Sequence, residues 1–435
     1  MMLPSPRIIA IDDEENELNA LVNSLNCSGY ACLAVKYTAE GVVCNAGDAR
    51  VIFFDLHLNG NSNAPRETHF SIISSTLAEI KPVGPYVIIL WTKYSGIDEE
   101  SPAGPALFEY LNTRLEGVPR PYNVLALDKV EHLRAGRVND VGALIRSINE
   151  LLGINPQIRA LLSWEKDVLS SASSTVNQLV SLANSASISL ESTLASLASA
   201  AVGKSNTETD PYQAINEALI PILADRLGGL PAEIENKKLH DEIWRAAYSV
   251  TDLVGRPAES QVRAINKFIN LSGRVAGYSL ADRGAVAKLS TIWSRKDFFD
   301  YFGLDYVETI KKYYSVLRDD TDFDSVSWVV CQVRAACDYA NDKPVPMPFF
   351  IGMEVEFKYL KNGSRPEHIW VSPVLDIDNV GKVLVFNAGA VIVLTAERAK
   401  KCAVKYRIKD QMLNDILYKL RLHQARPGMI SLFHR

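Results

Sequence analysis

Short apolar runs that alternate with helical patterns are the feature that most constrains the first 150 residues. The runs are Ile8–Ile11, Tyr30–Val35, Val51–Phe54, Val87–Leu90 and Val124–Leu127. Continuous runs of this length are typical of strands that are buried on both faces of a parallel sheet. Amphipathic stretches lie between and after them, for example Val141, Leu144, Ile145, Ile148 and Leu151. The alternation predicts an α/β domain with a five-stranded, doubly wound parallel sheet of the flavodoxin-like kind.

The residues that end these runs are polar. The first run ends in Asp12 and Asp13, the third in Asp55, the fourth in Thr92, and the fifth in Asp128 and Lys129. Ligands of doubly wound sheets bind at the carboxyl ends of the strands. We therefore expect an acid pair, a lone Asp, a hydroxyl and a Lys to converge at one edge of the sheet.

The acids after the first run need an explanation, because Asp12, Asp13, Glu14 and Glu15 repel one another. Capping of the next helix explains one or two of them. A divalent cation explains the pair better, since Mg²⁺ takes oxygen ligands that include one or two carboxylates. We interpret Asp12 and Asp13 as metal ligands, and Glu14 and Glu15 as the start of the helix.

This set of strand-end residues resembles the receiver domain of two-component response regulators, over residues 5–153. The resemblance implies that Asp55 accepts a phosphoryl group from a histidine kinase. It implies that Asp13, Asp55 and the backbone carbonyl of His57 ligate Mg²⁺, with Asp12 acting mainly through a coordinated water. It also implies that Thr92 donates a hydrogen bond to the phosphoryl group and that Lys129 pairs with it. A carboxylate nucleophile and charge neutralisation are what phosphoryl transfer requires.

The chain departs from the receiver pattern in several places. The stretch after Asp55 lacks the usual Met-Pro step, the interval from Thr92 to Lys129 is long, and Val130 stands where Pro is usual. Residues 125–127, "LAL", include no aromatic, whereas in the family an aromatic there couples phosphorylation to the output face. The missing aromatic puts the conventional switch in doubt and leaves the phosphorylation chemistry intact. A receiver that only docks partners is the alternative.

The composition changes along the chain and predicts five segments. They are a receiver domain at 1–153, a Ser/Ala-rich helical connector at 154–210, a helical domain at 211–325, a β-rich domain at 326–397 for which a small barrel is plausible, and a basic C-terminal helix and tail at 398–435. The connector has a heptad period, with Leu169, Val176, Ala183, Leu190 and Leu197 seven residues apart. This spacing predicts one long helix, packed within its own domain or paired between subunits. A second series of the same period, three residues later, forms the other seam of the helix and is rich in Ala: Ala172, Leu179, Ala186, Thr193 and Ala200. Self-association through this helix is therefore expected to be weak, and a homodimer is left open.

The composition is that of an ordinary globular protein, with 47% hydrophobic and 22% charged residues among 435. We expect a cytoplasmic protein with no membrane contact, because neither a long apolar span nor a signal-peptide pattern is present. The six cysteines are scattered, which suits free thiols in a reducing compartment. Cys331 and Cys337 lack the further ligands that a zinc site needs.

Charge is spread unevenly. Residues 1–150 carry a net charge of −7, and residues 398–426 carry +7. A basic segment of this kind can bind nucleic acid, or it can complement an acidic partner such as the receiver itself. No nucleotide-hydrolase, protease or hydrolase motif is visible.

The sequence therefore predicts a non-enzymatic phosphoacceptor that signals to a downstream effector, or buffers phosphate, through its output region. The alternative is a nucleic-acid-binding regulator that uses the basic segment, with a receiver that only docks partners. An enzyme with an unrecognised active site in residues 211–397 is a third alternative, for which no motif is present. The helical-plus-β output and the "ARPG" near the end are similar to receiver-bearing components of bacterial anti-phage defence systems such as Detocs. That similarity implies a role in antiviral defence.

Overall fold

The computed structural model describes residues 5–44, 46–58, 64–93, 102–233, 237–248, 257–273, 275–334 and 346–424. The chain divides into two compact units. The first unit comprises residues 1–174 and 226–252, and the second comprises residues 175–225 and 253–435.

A five-stranded parallel sheet forms the centre of the first unit. Its strands are β1 (Ile8–Asp12), β2 (Cys32–Lys36), β3 (Val51–Phe54), β4 (Val87–Thr92) and β5 (Asn123–Asp128). The strand order is β2-β1-β3-β4-β5, which is the flavodoxin-like order. The predicted parallel sheet is confirmed. The central strands β3 and β4 are buried along their whole length, as their apolar runs indicate, whereas the edge strand β2 is mostly exposed.

Helices cover both faces of this sheet. They are α1 (Glu15–Cys27), α2 (Arg66–Ile80), α3 (Ala103–Arg114), α4 (Lys129–His132) and α5 (Val141–Gly153). On one face, Leu21 of α1 and Leu144 of α5 share a core with Phe53 of β3. On the other face, Ile73 of α2 and Leu107 of α3 share a core with Phe54. Adjacent residues of β3 thus enter opposite cores, as the two-residue period of a strand requires.

Two parts of this unit differ from a regular strand–helix alternation. The described residues between β2 and β3 form turns and a bridge between Thr38 and Gly41, with no helix. After β5, the short helix α4 leads into a hairpin of β6 (Leu133–Arg134) and β7 (Arg137–Val138) before α5 begins.

Ion pairs connect the amino-terminal end of the parallel strands to the helix that follows α5. Helix α6 (Pro156–Ser185) carries Glu165, whose carboxylate lies 3.0 Å from Arg7 and 3.0 Å from Arg50. Arg7 and Arg50 directly precede β1 and β3, so this contact lies at the opposite end of the strands from Asp12 and Asp55.

An eight-stranded antiparallel sheet lies at the centre of the second unit. Its strand order is β12-β14-β11-β10-β9-β15-β8, and β13 pairs with β14. Its strands are β8 (Leu271–Ser272), β9 (Ala285–Lys288), β10 (Ser327–Gln332), β11 (Met347–Glu356), β12 (Ile369–Val371), β13 (Leu375–Ile377), β14 (Val380–Leu394) and β15 (Tyr406–Ile408). The predicted β-rich region is confirmed, although three of its strands come from outside residues 326–397. Among the described residues the sheet is an open half-barrel rather than a closed barrel.

The remaining helices are α7 (Leu190–Val202), α8 (Lys204–Thr209), α9 (Pro211–Glu233), α10 (Lys237–Ala247), α11 (Glu259–Asn270), α12 (Arg295–Phe302), α13 (Tyr306–Thr309), α14 (Ala396–Lys400) and α15 (Asp410–Gln424). Helix α12 and the segment after α13 pack on one face of the second sheet, where Phe298 and Tyr314 share a core with Ile351. Helix α15 packs on the other face, where Leu413 and Ile416 share a core with Phe350.

The prediction of one long helix over the heptad series is wrong. Helix α6 ends at Ser185 and α7 begins at Leu190. Ser187 between them has a φ of +54°, in the left-handed region, and the Ser189 hydroxyl accepts a hydrogen bond from the Ser192 N–H at 3.1 Å. Local capping therefore interrupts the helix, because Ser competes for backbone hydrogen bonds and favours helix ends.

Described residues of the basic segment pack against the second sheet. Arg398 donates to the carbonyl of Ile292, and Lys409 donates to the carbonyl of Phe268. Lys405 lies 2.7 Å from the buried carboxylate of Glu354. Much of the predicted positive charge is therefore engaged within this unit.

Two further observations bear on the sequence predictions. No helix among the described residues has both the length and the apolar character that a bilayer crossing requires. Cys331 is buried, and its burial raises the pKa of the thiol, while Cys337 lies outside the described residues.

Candidate functional site

The strand ends bring the predicted site residues to one edge of the first sheet. Asp12 is the last residue of β1, Asp55 directly follows β3, Thr92 ends β4, and Lys129 begins α4 immediately after β5. Because parallel strands share a direction, their carboxyl ends meet at this edge. Thr92 and Lys129 are almost fully buried, at 0% and 1% exposure.

Three carboxylates converge at this edge. One oxygen from each of Asp12, Asp13 and Asp55 lies within 4.8 Å of the others. Two oxygens that ligate one Mg²⁺ at about 2.1 Å are at most about 4.2 Å apart, so a small contraction brings this set to the ligand geometry of the ion. The cluster fits the predicted magnesium site, in which each carboxylate offers a hard oxygen ligand.

Burial makes ionisation of the acid pair Asp12 and Asp13 costly. Burial raises the pKa of Asp12 to about 6, and the neighbouring Asp55 charge adds to the rise while Lys129 opposes it. Burial, followed by repulsion from Asp55, also raises the pKa of Asp13. A cation that binds these buried, mutually repelling carboxylates stabilises their ionised form.

Lys129 is the cation that the chain itself supplies. Its Nζ lies 2.7 Å from Asp12 Oδ2 and 3.1 Å from Asp55 Oδ2. Burial alone would lower the pKa of Lys129, but the charges of Asp55 and Asp12 outweigh that effect and raise it. Lys129 therefore stays protonated and holds the two carboxylates at hydrogen-bonding distance.

The capping explanation for the acids is only partly realised. Glu14 is the N-cap residue of α1, and its side chain makes no capping hydrogen bond. Asp12 Oδ1 accepts a hydrogen bond from the Glu14 backbone N–H at 2.9 Å. Asp12 therefore shapes the turn into α1 with one oxygen and faces Lys129 with the other.

Sequence reasoning missed two members of the site, Glu17 and Lys93. Glu17 Oε2 lies 3.0 Å from Lys129 Nζ, and Glu17 Oε1 lies 2.5 Å from Lys93 Nζ. Burial raises the pKa of Glu17, but hydrogen bonds from Lys93 and Lys129 reverse that effect and lower it. Two signals were present in the sequence. Glu17 lies in the first turn of the helix that follows the acid pair, and Lys93 directly follows Thr92.

Two pairs of aromatic rings lie on segments that also carry site residues. The rings of His57 and His69 lie 4.5 Å apart, centroid to centroid, and burial lowers the pKa of each. Trp91 stacks on His132 at 6.1 Å. The Trp91 indole N–H is buried without a hydrogen-bond partner in the described structure. The His57 carbonyl as a ligand and the Thr92 hydroxyl as a donor stay predictions.

Comparisons with family models, with curated proteins and with solved structures found no match for this chain. The case for a receiver therefore depends on the residues and geometry of the chain itself. The missing aromatic of the receiver pattern falls in β5, because residues 125–127 lie in that strand with Leu125 and Leu127 buried.

Proposed function

We propose that this protein is a receiver-type phosphoacceptor, in which Asp55 takes a phosphoryl group from the phosphohistidine of a kinase in a Mg²⁺-dependent reaction. The observation that carries the proposal is the grouping of carboxylate oxygens from Asp12, Asp13 and Asp55 within 4.8 Å. Lys129 Nζ lies against the same group, 3.1 Å from Asp55. This combination of a nucleophile, a metal-binding acid pair and a buried cation is what phosphoryl transfer to a carboxylate requires.

The reaction divides into roles for particular side chains. An oxygen of Asp55 attacks the phosphorus in line, the P–N bond to the kinase histidine breaks, and an acyl phosphate forms on Asp55. The Asp55 side chain is 12% exposed, whereas the side chains of Asp12 and Lys129 are 2% and 1% exposed, so part of the nucleophile is open to a phosphodonor. Lys129 stabilises the charge that develops on the phosphoryl oxygens. Mg²⁺, when bound by Asp12, Asp13 and Asp55, supplies further charge neutralisation.

Phosphorylation changes the charge that Lys129 experiences. An acyl phosphate on Asp55 carries up to two negative charges where the carboxylate carried one. The phosphoryl oxygens then compete with Glu17 for Lys129, and Glu17 keeps its contact with Lys93. We propose that this exchange replaces the aromatic switch that residues 125–127 lack. It would carry the signal to Lys93, the first residue after β4.

Phosphate-affinity electrophoresis with acetyl phosphate as donor tests the proposal. We expect a retarded band that forms with Mg²⁺, is lost with EDTA, is cleaved by hydroxylamine, and is absent in Asp55→Asn. Asp140→Asn is the matched control, because Asp140 is an exposed Asp in the same unit and its loss should leave the band unchanged. A band that persists in Asp55→Asn would show that another residue is phosphorylated.

The histidine kinase, the downstream effector, the non-enzymatic output and the anti-phage role stay predictions of the sequence. The nucleic-acid alternative loses support from the packing of the basic segment. Arg398, Lys405 and Lys409 each contact the second unit, and Arg421 donates to the carbonyl of Val333. An open basic face of the kind that binds phosphates would leave these side chains free.

A further inference from the structure

A cavity of about 640 Å³ lies in the second unit, remote in sequence from the phosphoacceptor site. Its volume falls within the range of about 300–1,000 Å³ that is typical of small-molecule sites. It is lined by described residues of α12, of the turn at residues 310–314 and of β14, together with His368 and His423. They combine aromatic rings, cationic or basic side chains and small residues, and none of them is acidic.

The first observation concerns the backbone of β14. Gly352 of β11 pairs with Phe386, whereas Phe350 pairs with Val391. Between these two pairs β11 advances by two residues and β14 by five, so residues 387–390 bulge from the ladder. Bulges of this kind are common beside functional sites, because they redirect the chain and its side chains. All four bulged residues line the cavity.

The second observation concerns the helix that faces the bulge. Residues Ile310–Tyr314 form a turn of π-helix, and the next residue, Ser315, has a φ of +47° in the left-handed region. A π-helical turn is rare because it is less stable than a regular α-helical turn. Where such a turn does occur, it is frequently part of a functional site. This turn supplies Lys312 and Tyr313 to the cavity.

Hydrogen bonds hold the two irregular segments together. The Asn387 amide donates to the Tyr313 carbonyl at 2.6 Å and accepts from the Gly389 N–H at 2.8 Å. The Tyr301 hydroxyl donates to the Val391 carbonyl at 2.9 Å and accepts from the Val391 N–H at 3.1 Å. The bulge is thus fixed at both ends, and the cavity is formed in advance of any ligand.

The third observation concerns polar groups that lack partners. The His423 Nδ1 atom is buried, and it has no hydrogen-bond partner among the described residues. The His423 ring lies 5.7 Å from the ring of His368. Lys312 makes no ion pair with any described residue, and its Nζ lies 5.3 Å from the centre of the Tyr313 ring. The positive charge of Lys312 is therefore available to a ligand in this cavity. His423 Nδ1 is enclosed by protein and reaches a ligand only if its ring turns.

We infer that this cavity binds a small anion that carries a flat aromatic ring, of the mononucleotide class. Tyr301, Phe302 and Tyr313 offer ring surface for stacking, while Lys312 and the two histidines offer donors for phosphate oxygens. The inference is independent of the phosphoacceptor proposal, because every residue that it uses lies between positions 301 and 423.

Isothermal titration of the full-length protein tests the inference, with AMP, GMP and CMP as probes. Adenosine, which lacks the anion, and ribose 5-phosphate, which lacks the ring, are the comparison compounds. We expect at least one mononucleotide to bind, and both partial compounds to bind at least tenfold more weakly. Failure of all three mononucleotides to bind at millimolar concentration would overturn the inference. Equal affinity for a nucleotide and one of its parts would overturn the proposed ligand class.

Variants locate the binding. Lys312→Ala removes an exposed cation that makes no described ion pair, so the fold should survive, and we expect nucleotide affinity to fall about tenfold, as for loss of one charged contact. His423→Ala should weaken binding in the same direction. Lys358→Ala is the matched control, because Lys358 lies over the Tyr359 ring at 4.8 Å but does not line the cavity. Unchanged affinity in both cavity variants would place any binding elsewhere and overturn the assignment.

Discussion

Asp12→Asn is expected to stabilise the first unit at neutral pH when no divalent cation is present. Burial raises the pKa of Asp12 from its ordinary 3.8 to about 6. The folded protein therefore binds this proton more tightly than the unfolded chain does. The proton on Asp12 therefore stabilises the folded state. This stabilisation is fully present below about pH 4, and it is lost as pH rises through about 6.

The size of the effect follows from the shift. Each pH unit of displacement corresponds to about 1.4 kcal/mol, so ionised Asp12 costs the folded state at most about 3 kcal/mol. Asn removes the charge and keeps the shape, but it also weakens the 2.7 Å contact with Lys129. We therefore expect a gain of about 1–3 kcal/mol at pH 7.5 and almost none at pH 4.

Hydrogen exchange of the β1 and β3 amides measures this change locally, which is preferable to a global melt because the chain has two compact units. Comparison of variant and wild type at the same pH, in EDTA, cancels the intrinsic exchange rates. Adding Mg²⁺ should reverse the ranking, since ligand binding stabilises the wild type more than the variant. Glu14→Gln is the matched control, because Glu14 is exposed and lies two residues away. Equal protection in wild type and Asp12→Asn at pH 7.5 would refute the reasoning.

Three further changes have expected outcomes. Glu17→Gln removes a competitor for Lys129 and should lengthen the lifetime of the phosphorylated form several-fold in phosphate-affinity electrophoresis; an unchanged decay would contradict the proposed exchange of partners. Gly352→Ala should destabilise the second unit by about 3 kcal/mol or more in calorimetry, because a Cβ there would collide with the Phe386 ring and the Val385 carbonyl; a melting temperature equal to that of the wild type would contradict this. Tyr406→Phe removes a 2.7 Å hydrogen bond to the buried Glu354 and should lower the free energy of unfolding by about 1–3 kcal/mol, whereas an unchanged urea midpoint would show that the bond contributes nothing.

The parallel sheet could be predicted from the sequence because a strand that is buried on both faces appears as a continuous run of apolar residues. Val51, Ile52, Phe53 and Phe54 are all apolar since alternate residues enter opposite cores. The antiparallel sheet was located only in outline. Strands β8, β9 and β15 are two to four residues long and join the sheet from outside the β-rich region. Segments this short carry too few residues to show a period, so their pairing depends on tertiary contacts.

The long helix was mispredicted for a related reason. Heptad spacing specifies a helical period, but it does not specify whether the helix is continuous. Ser187 and Ser189 lie between repeats that themselves remain in phase. The energy of one capping bond is comparable to the packing gained from an Ala-rich seam, and local hydrogen bonding prevails at this position. A repeat with larger side chains at both seams would have opposed the break more strongly.

The candidate site shows the same limit at the level of single residues. Asp12, Asp55 and Lys129 could be predicted because each follows a strand whose end the apolar run defines. Glu17 could not be predicted in this way, since its contact with Lys129 depends on the angle at which α1 leaves β1. That angle is set by the Asp12 hydrogen bond to the Glu14 N–H and by the packing of Leu21 in the core. Asp12 therefore helps to position Glu17, although the two residues belong to different elements. A change at Asp12 should alter both the metal-binding group and the contact of Glu17 with Lys129.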